Sequence, residues 1–154
     1  MKKILLCAVS AVLLLSGCSH KYIDDPYAKY GGYWECIKVV TDEGVYDEYY
    51  LDPKIPVSAV YNLAIAEDGT GYLDSPISVL YGENGKQALK WEAEDSTLKL
   101  YGESSSDVLS LEYTEDERLL LRSDEKTEIW FGKVDRLTAF DPGVLNDKAK
   151  GEDK

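Results

Sequence analysis

The sequence predicts an all-β protein, an antiparallel up-and-down meander of about eight strands that closes into a barrel. From residue 32 onward, short segments alternate apolar and polar residues, as expected for strands with one solvated face. Turn-forming pairs such as Asp68-Gly69 separate these segments at short intervals. Closure into a barrel removes the exposed edges of such a meander. A two-sheet β-sandwich is the alternative.

The first half of this body is the less regular one. The first predicted strand covers 33–41 and ends at an Asp-Glu-Gly turn. The stretch 45–56 has two prolines and no clear period, which predicts a long connection with room for one helical turn. Strands at 59–66 and 70–74 follow, joined by a turn whose glycine tolerates positive φ. The segment 76–81 is irregular and either extends the third strand or forms its own.

The second half shows cleaner alternation. In 87–93, Leu89, Trp91 and Ala93 share one face of the strand, and Lys90 and Glu92 share the other. The same pattern, separated by acidic turns, predicts the remaining strands at 97–101, 108–114, 118–123 and 127–134.

The charge balance excludes some classes of partner. Among 154 residues, 17 are Lys or Arg and 29 are Asp or Glu, for a net charge of -12. Such an acidic chain is not expected to bind nucleic acid or to dock electrostatically on anionic membranes. The chain has a single histidine, His20, which excludes most histidine-based catalysis and histidine-rich metal sites.

The N-terminus has the pattern of a targeting segment. Two lysines at the start precede an apolar run at 4–15, which is shorter than the ~20 residues needed to span a bilayer. The run ends in Leu-Ser-Gly-Cys18, which resembles the lipobox of bacterial lipoproteins. The resemblance implies that 1–17 is a signal peptide and that Cys18 carries the lipid that anchors the protein to a membrane of the bacterial cell envelope, on its extracytoplasmic face. An ordinary secretory signal with a chance cysteine is the alternative.

These boundaries divide the rest of the chain into three parts. Residues 18–31 are predicted to be the lipidated cysteine and a flexible tether, 32–136 the barrel domain, and 137–154 a charged tail that is disordered or loosely packed. Cleavage before Cys18 removes two lysines and no acid, which leaves 15 cations against 29 acids and a net charge of -14.

The predicted mature chain offers few side chains suited to catalysis. Once Cys18 is acylated, Cys36 is the only free cysteine of the mature chain, so no internal disulfide can form. A small buried strand residue is the favoured interpretation of Cys36, and a reactive thiol is the alternative. The carboxylates fall mostly in turns, where they are solvated. We therefore expect no catalytic residues, no metal and no cofactor.

Short motifs in the body resemble lipocalin-like domains. Gly32-Tyr33-Trp34 is similar to their G-x-W start, Asp68-Gly69-Thr70-Gly71 to a hairpin of small bacterial members, and 129–133 to their last strand. The resemblance implies a barrel plugged at one end by Trp34, with Lys133 or Arg136 packed over the ring. A core tryptophan with both cations solvated is the alternative. The disulfides and the C-terminal helix of large secreted lipocalins are missing, which argues against a deep cavity.

Aromatic residues are the remaining signal, since the chain has 12 tyrosines and 3 tryptophans. Tyr46, Tyr49 and Tyr50 lie in the predicted long connection, where they either pack across the barrel mouth or contact a ligand. We expect a monomeric, non-enzymatic protein that binds a small apolar or amphipathic ligand, or a partner protein, at the open end. The alternative is an acidic protein-interaction module, such as an envelope assembly factor or an inhibitor of a basic enzyme.

Overall fold

Eight antiparallel strands close into a barrel, and a ninth short strand extends it, in the part of the chain that the computed structural model describes, residues 25–102, 106 and 108–145. The predicted fold class is confirmed, and the barrel is consistent with a lipocalin-like one. Closure comes from pairing of the first and last strands, which excludes the two-sheet sandwich. No described helix is long and apolar enough to cross a membrane.

The elements follow the chain in a simple order. One short helix, α1, precedes the strands at Pro26–Tyr30. The strands are β1 (Gly32–Val40), β2 (Val45–Tyr46), β3 (Asn62–Ile65), β4 (Thr70–Asp74), β5 (Gln87–Glu94), β6 (Thr97–Gly102), β7 (Val108–Tyr113), β8 (Leu119–Arg122) and β9 (Glu128–Val134). Two 3₁₀ helices lie in the connections, at Val57–Ala59 and Pro76–Tyr81.

Strand β1 holds the barrel together because it pairs with three others. Its first half pairs with β3, its last two residues pair with β2, and nearly its whole length pairs with β9. The β1–β9 register shifts between Cys36 and Lys38, which places a bulge in β1. The other strands pair in sequence order from β3 to β9.

The inward-facing side chains form one continuous core inside the barrel. Its largest fully buried members are Trp34, Tyr30, Phe131, Leu63, Leu98, Leu111, Leu119 and Cys36. Except for Tyr30 of α1, these residues come from alternate positions of the strands, as the sequence pattern predicts. Leu120 is an exception: it points to the opposite face from Leu119 and is also buried.

The barrel has two different ends. The Trp34 end is where β1 begins and β9 ends, and it carries α1 and the turns at 66–69, 95–96 and 114–118. The loop end carries the longer connections at 41–44, 47–61 and 75–86, together with the turn at 123–127. Because the strands are antiparallel, each connection belongs to one of the two ends.

Two predicted elements differ in the connections of the loop end. The strand predicted at 59–66 begins only at Asn62, because Val57–Ala59 forms a 3₁₀ turn. The segment 76–81 is a 3₁₀ helix and neither extends a strand nor forms one. A proline in its first turn and Gly82 at φ 73° after its end favour the helical turn.

The predicted flexible tether is wrong at its C-terminal end. Residues 26–30 form α1, capped by the Asp25 carboxylate, which accepts a hydrogen bond from the Tyr27 N–H at 3.0 Å. Tyr30 is only 1% exposed because its ring packs into the core. Burial of this aromatic ring offsets the entropy of ordering the segment. The rest of the tether, the signal peptide 1–17, Cys18 and His20 lie outside the described residues.

The charged tail is likewise ordered at its start. Glu35, which is 8% exposed, accepts hydrogen bonds from both the backbone N–H and the hydroxyl of Thr138. Further along, the Lys54 ammonium donates to the Val144 carbonyl at 3.0 Å. These contacts tie 137–145 to the rest of the domain, although none of its side chains is fully buried. The last nine residues lie outside the described chain.

Candidate functional site

An aromatic cluster seals the Trp34 end of the barrel. Trp34 is 1% exposed, and its indole N–H donates to the Tyr30 carbonyl at 2.8 Å. The ring of Tyr113 meets Trp34 edge-on at 6.4 Å between centroids and Tyr30 at 5.4 Å. Edge-to-face pairs of this kind add to the free energy gained from burying the rings. This end is therefore a structural plug.

Two lysines cover the plug. The Lys133 ammonium lies 5.5 Å from the centroid of the Trp34 ring, and the Lys29 ammonium lies 4.4 Å from that of Tyr113. Each exposed contact of this kind contributes ~0.5–1 kcal/mol. Arg136, the other cation that the resemblance offered, is exposed and makes no cation–π contact within the described residues. Lys29 was not predicted to cover the plug, because residues 26–30 have no hydrophobic period that would predict a helix.

The three tyrosines predicted to line the open end separate into two groups. The rings of Tyr46 and Tyr50 meet edge-on at 5.2 Å, and both pack against the core. Burial, followed by the neighbouring phenol of Tyr46, raises the pKa of Tyr50 above its ordinary value. Tyr49 is 44% exposed, and its backbone bridges to Pro56. Tyr46 and Tyr50 thus close the mouth, while Tyr49 is available for contact.

Exposed apolar side chains concentrate at the loop end. Of nine large hydrophobic residues that the described chain exposes, seven lie there, and Tyr81, Leu51 and Val45 are 75%, 66% and 61% exposed. We call this set the apolar rim: Val45, Tyr49, Leu51, Val79, Tyr81, Val108 and Leu109. Isolated exposed hydrophobic residues are common, whereas a cluster of them marks an interaction surface.

The apolar rim stands among acidic residues. The connections at 41–61, 75–86 and 123–127 hold eight carboxylates and three lysines. All three lysines are already engaged: Lys126 pairs with Asp42 at 3.2 Å, Lys54 donates to the Val144 carbonyl, and Lys86 lies over the Tyr72 ring. The loop end therefore presents apolar side chains in a negative field.

A narrow apolar slot opens beside the rim. It has a volume of about 210 Å³ and is lined mainly by Leu73, Leu89, Leu100 and Leu109. Small-molecule sites typically occupy ~300–1,000 Å³. The slot is below that range, since the core side chains and the Tyr46–Tyr50 pair occupy the barrel.

Cys36 sits inside the barrel and is 1% exposed. Burial raises the pKa of its thiol to about 12, so the group is neutral at physiological pH. A neutral buried thiol is a poor nucleophile, and this agrees with the favoured interpretation of Cys36 as a small core residue. Elsewhere in the described residues, no group of three or more His, Cys, Asp or Glu side chains could hold a metal ion.

We expect the Cys36 thiol to react with a disulfide reagent at least ~1,000-fold more slowly in the folded protein than in urea, because reaction requires an opened state. Mass mapping of the Cys36 peptide measures the rate of labelling in the folded and in the unfolded protein. The unfolded thiol loses its proton at lower pH than the folded one. The contribution of this group to the free energy of unfolding is thus full below pH ~8.5 and falls as the pH rises toward 12. Equal labelling rates in both states would place Cys36 at the surface.

Comparison with known proteins adds no relative. No protein-family model, no curated protein and no solved structure matches this chain.

Proposed function

We propose that this protein is a lipid-anchored, non-enzymatic lipoprotein of the bacterial cell envelope that binds a basic partner protein at the loop end of its barrel. The observation that carries the proposal is the clustering, on the connections and strand ends at that end, of seven of the nine large hydrophobic residues that the described chain exposes, among eight carboxylates and three engaged lysines. The lipobox-like sequence ending in Cys18 supports the anchor.

The position of Asp25, where the described part of the chain begins, supports this arrangement. Asp25 and α1 lie at the Trp34 end, opposite the apolar rim. From Cys18 to Asp25 the chain advances seven residues, which reach at most ~25 Å. A lipid on Cys18 would hold the Trp34 end near the membrane, and the loop end would point away from it. The rim is then free to meet a partner.

The chemistry of the loop end favours a protein over a small molecule. The apolar slot is too small to enclose most ligands, whereas the rim offers separated anchors on several loops. A protein partner would bury such anchors at the centre of an interface and keep charged groups at its edge. The excess of carboxylates selects a partner with Lys and Arg around its own apolar contact.

Site-specific photo-crosslinking in the native host tests the proposal. A crosslinking residue at Leu51 or Tyr81 is expected to capture one partner, and the same residue at Asp116 of the Trp34 end is expected to capture none. Capture from a crosslinking residue at Val79, another member of the rim, should fall at least fivefold in the double variant Leu51→Ser/Tyr81→Ser and at high salt, because both apolar burial and charge contribute. Val144→Ser, exposed but outside the rim, is the matched control.

Two outcomes would contradict the proposal. The first is equal capture from Asp116 and from the rim. The second is a partner whose crosslinked surface carries no excess of Lys and Arg, together with capture that does not change with salt.

A further inference from the structure

A groove of about 360 Å³ crosses the outer wall of the barrel near the Trp34 end, away from the apolar rim. Three tyrosines, Tyr27, Tyr33 and Tyr72, stand along it. Small residues and backbone form the rest of its lining: Gly32, Ala64, Ile65, Ala66, Thr70 and Gly71. We call this feature the tyrosine groove. Neither the plug nor the loop end uses it.

Strand register builds the centre of the groove. Tyr33 pairs with Ala64 across β1 and β3, and Ala64 pairs with Tyr72 across β3 and β4. The three residues therefore form one row on the outside of the barrel. The two tyrosines are two strand spacings apart, ~10 Å between their Cα atoms. Ala64, which is 8% exposed, is the floor between them.

Two further contacts shape the groove. A Cβ atom on Gly71 would collide with the Ala64 carbonyl oxygen, so glycine lets β4 approach β3 closely beneath the groove. The Lys86 ammonium lies 3.9 Å from the centroid of the Tyr72 ring, which holds that ring in place. Burial, followed by the neighbouring phenol of Tyr33, raises the pKa of Tyr72 above its ordinary value.

The lining identifies the chemistry of an occupant. None of its nine residues is charged, although the predicted mature chain has a net charge of -14. The Thr70 hydroxyl is engaged by Asp68. The groove therefore offers flat aromatic faces, a methyl-sized floor and phenol hydroxyls. A neutral sugar ring has the matching pattern, with C–H faces that stack on aromatic rings and hydroxyls at its edge that bond to phenols.

Peptide ligands fit this geometry less well. At the groove, β3 and β4 each have a strand on both sides and β1 lies between β3 and β9, so an extended peptide finds no free edge to pair with. A polyproline helix docks on a shallow series of aromatic ridges that follows its ~9 Å turn. The row Tyr33–Ala64–Tyr72 instead provides one gap between two aromatic walls, which suits a single ring.

We propose that the tyrosine groove binds a neutral pyranose ring of a glycan chain, stacked between Tyr33 and Tyr72 over Ala64. This site is separate from the apolar rim, and binding there requires neither the lipid anchor nor the partner protein.

Titration of the full chain with chitotetraose, cellotetraose and maltotetraose, followed by saturation-transfer NMR, tests the site. At least one of the three is expected to bind, and Tyr33→Ala or Tyr72→Ala should weaken that binding at least fivefold because each variant removes one stacking face. Ala64→Leu, which fills the gap from its floor, should have the same effect. Tyr49→Ala is the matched control, since Tyr49 is 44% exposed and Tyr33 is 42% exposed.

Three results would each overturn the proposal. They are failure of all three oligosaccharides to bind at millimolar concentration, a loss in Tyr33→Ala and Tyr72→Ala no greater than in Tyr49→Ala, and tighter binding of decaproline than of any glycan. Crosslinking at Leu51 reports on the partner site independently, so failure at one site is distinguishable from failure at the other.

Discussion

Substitution of Trp34 by alanine is expected to lower the free energy of unfolding by ~3–5 kcal/mol, the largest effect of any single change considered for the folded domain. The side chain is 1% exposed, so its removal leaves a cavity in the plug. The Tyr30 carbonyl loses its hydrogen bond from the indole, and Tyr113 loses an edge-to-face contact. Urea denaturation followed by circular dichroism gives the difference between variant and parent.

Trp130→Ala is the matched control for this result. Trp130 faces the outer wall, where the Lys38 ammonium lies 4.2 Å from the ring centroid and the indole N–H donates to Glu128 at 3.1 Å. Because its ring is only partly buried, we expect a smaller loss, ~1–2 kcal/mol. If Trp34→Ala cost no more than Trp130→Ala, Trp34 would not be the plug that the structure describes.

Cys18→Ala is expected to abolish membrane attachment altogether. The acyl chains of the proposed anchor would each contribute ~0.8 kcal/mol per buried methylene, and an acidic domain has no electrostatic attraction to replace them. The variant should be found in the soluble fraction once its leader is removed, and an uncleaved precursor, which keeps the apolar run at 4–15, is distinguished by its mass. Fractionation with mass spectrometry of the N-terminal peptide measures both outcomes. The parent protein should show acyl groups on Cys18.

Cys36→Ala provides the control for the cysteine chemistry. It removes the only other cysteine predicted in the mature chain and should leave membrane attachment unchanged. Undiminished membrane attachment of Cys18→Ala from which the leader has been removed, or an unmodified Cys18 in the parent, would contradict the lipobox interpretation. The sugar titration does not depend on this result, since the tyrosine groove lies on the folded domain.

The alternation of apolar and polar residues along the sequence was enough to predict most strands of the barrel. In β6, Leu98 and Leu100 are buried and Lys99 between them is partly exposed, as a strand with one wet face requires. The turn before β4 was predictable for a similar local reason, because Gly69 adopts φ 84°. Where local rules dominate, the prediction and the structure agree.

The predictions made from the sequence are wrong where contacts with distant residues determine the local structure. Residues 26–30 have no hydrophobic period and were predicted to be tether, yet Tyr30 is held by Trp34 and by Tyr113, which is far away in the chain. Glu35 is buried because Thr138, more than a hundred residues later, satisfies its carboxylate. A single sequence carries no signal for such pairings.

The candidate sites likewise combine features that local sequence predicts with features that depend on contacts between distant residues. Clusters of tyrosine in the long connection predicted an aromatic mouth, but only the structure separates Tyr46 and Tyr50, which pack on the core, from Tyr49, which is exposed. The row formed by Tyr33, Ala64 and Tyr72 could not be predicted from the sequence, because it depends on the register of three strands.

Composition, hydrophobic period and turn residues are local properties, and they were enough to predict a small acidic all-β domain; the residues before Cys18 further predict a lipobox-like leader. Which end is sealed, which end exposes apolar side chains, and where aromatic rings share a face follow only from the tertiary structure. Those outcomes depend on closure between β1 and β9 and on strand register, and both are set by contacts between residues far apart in the chain.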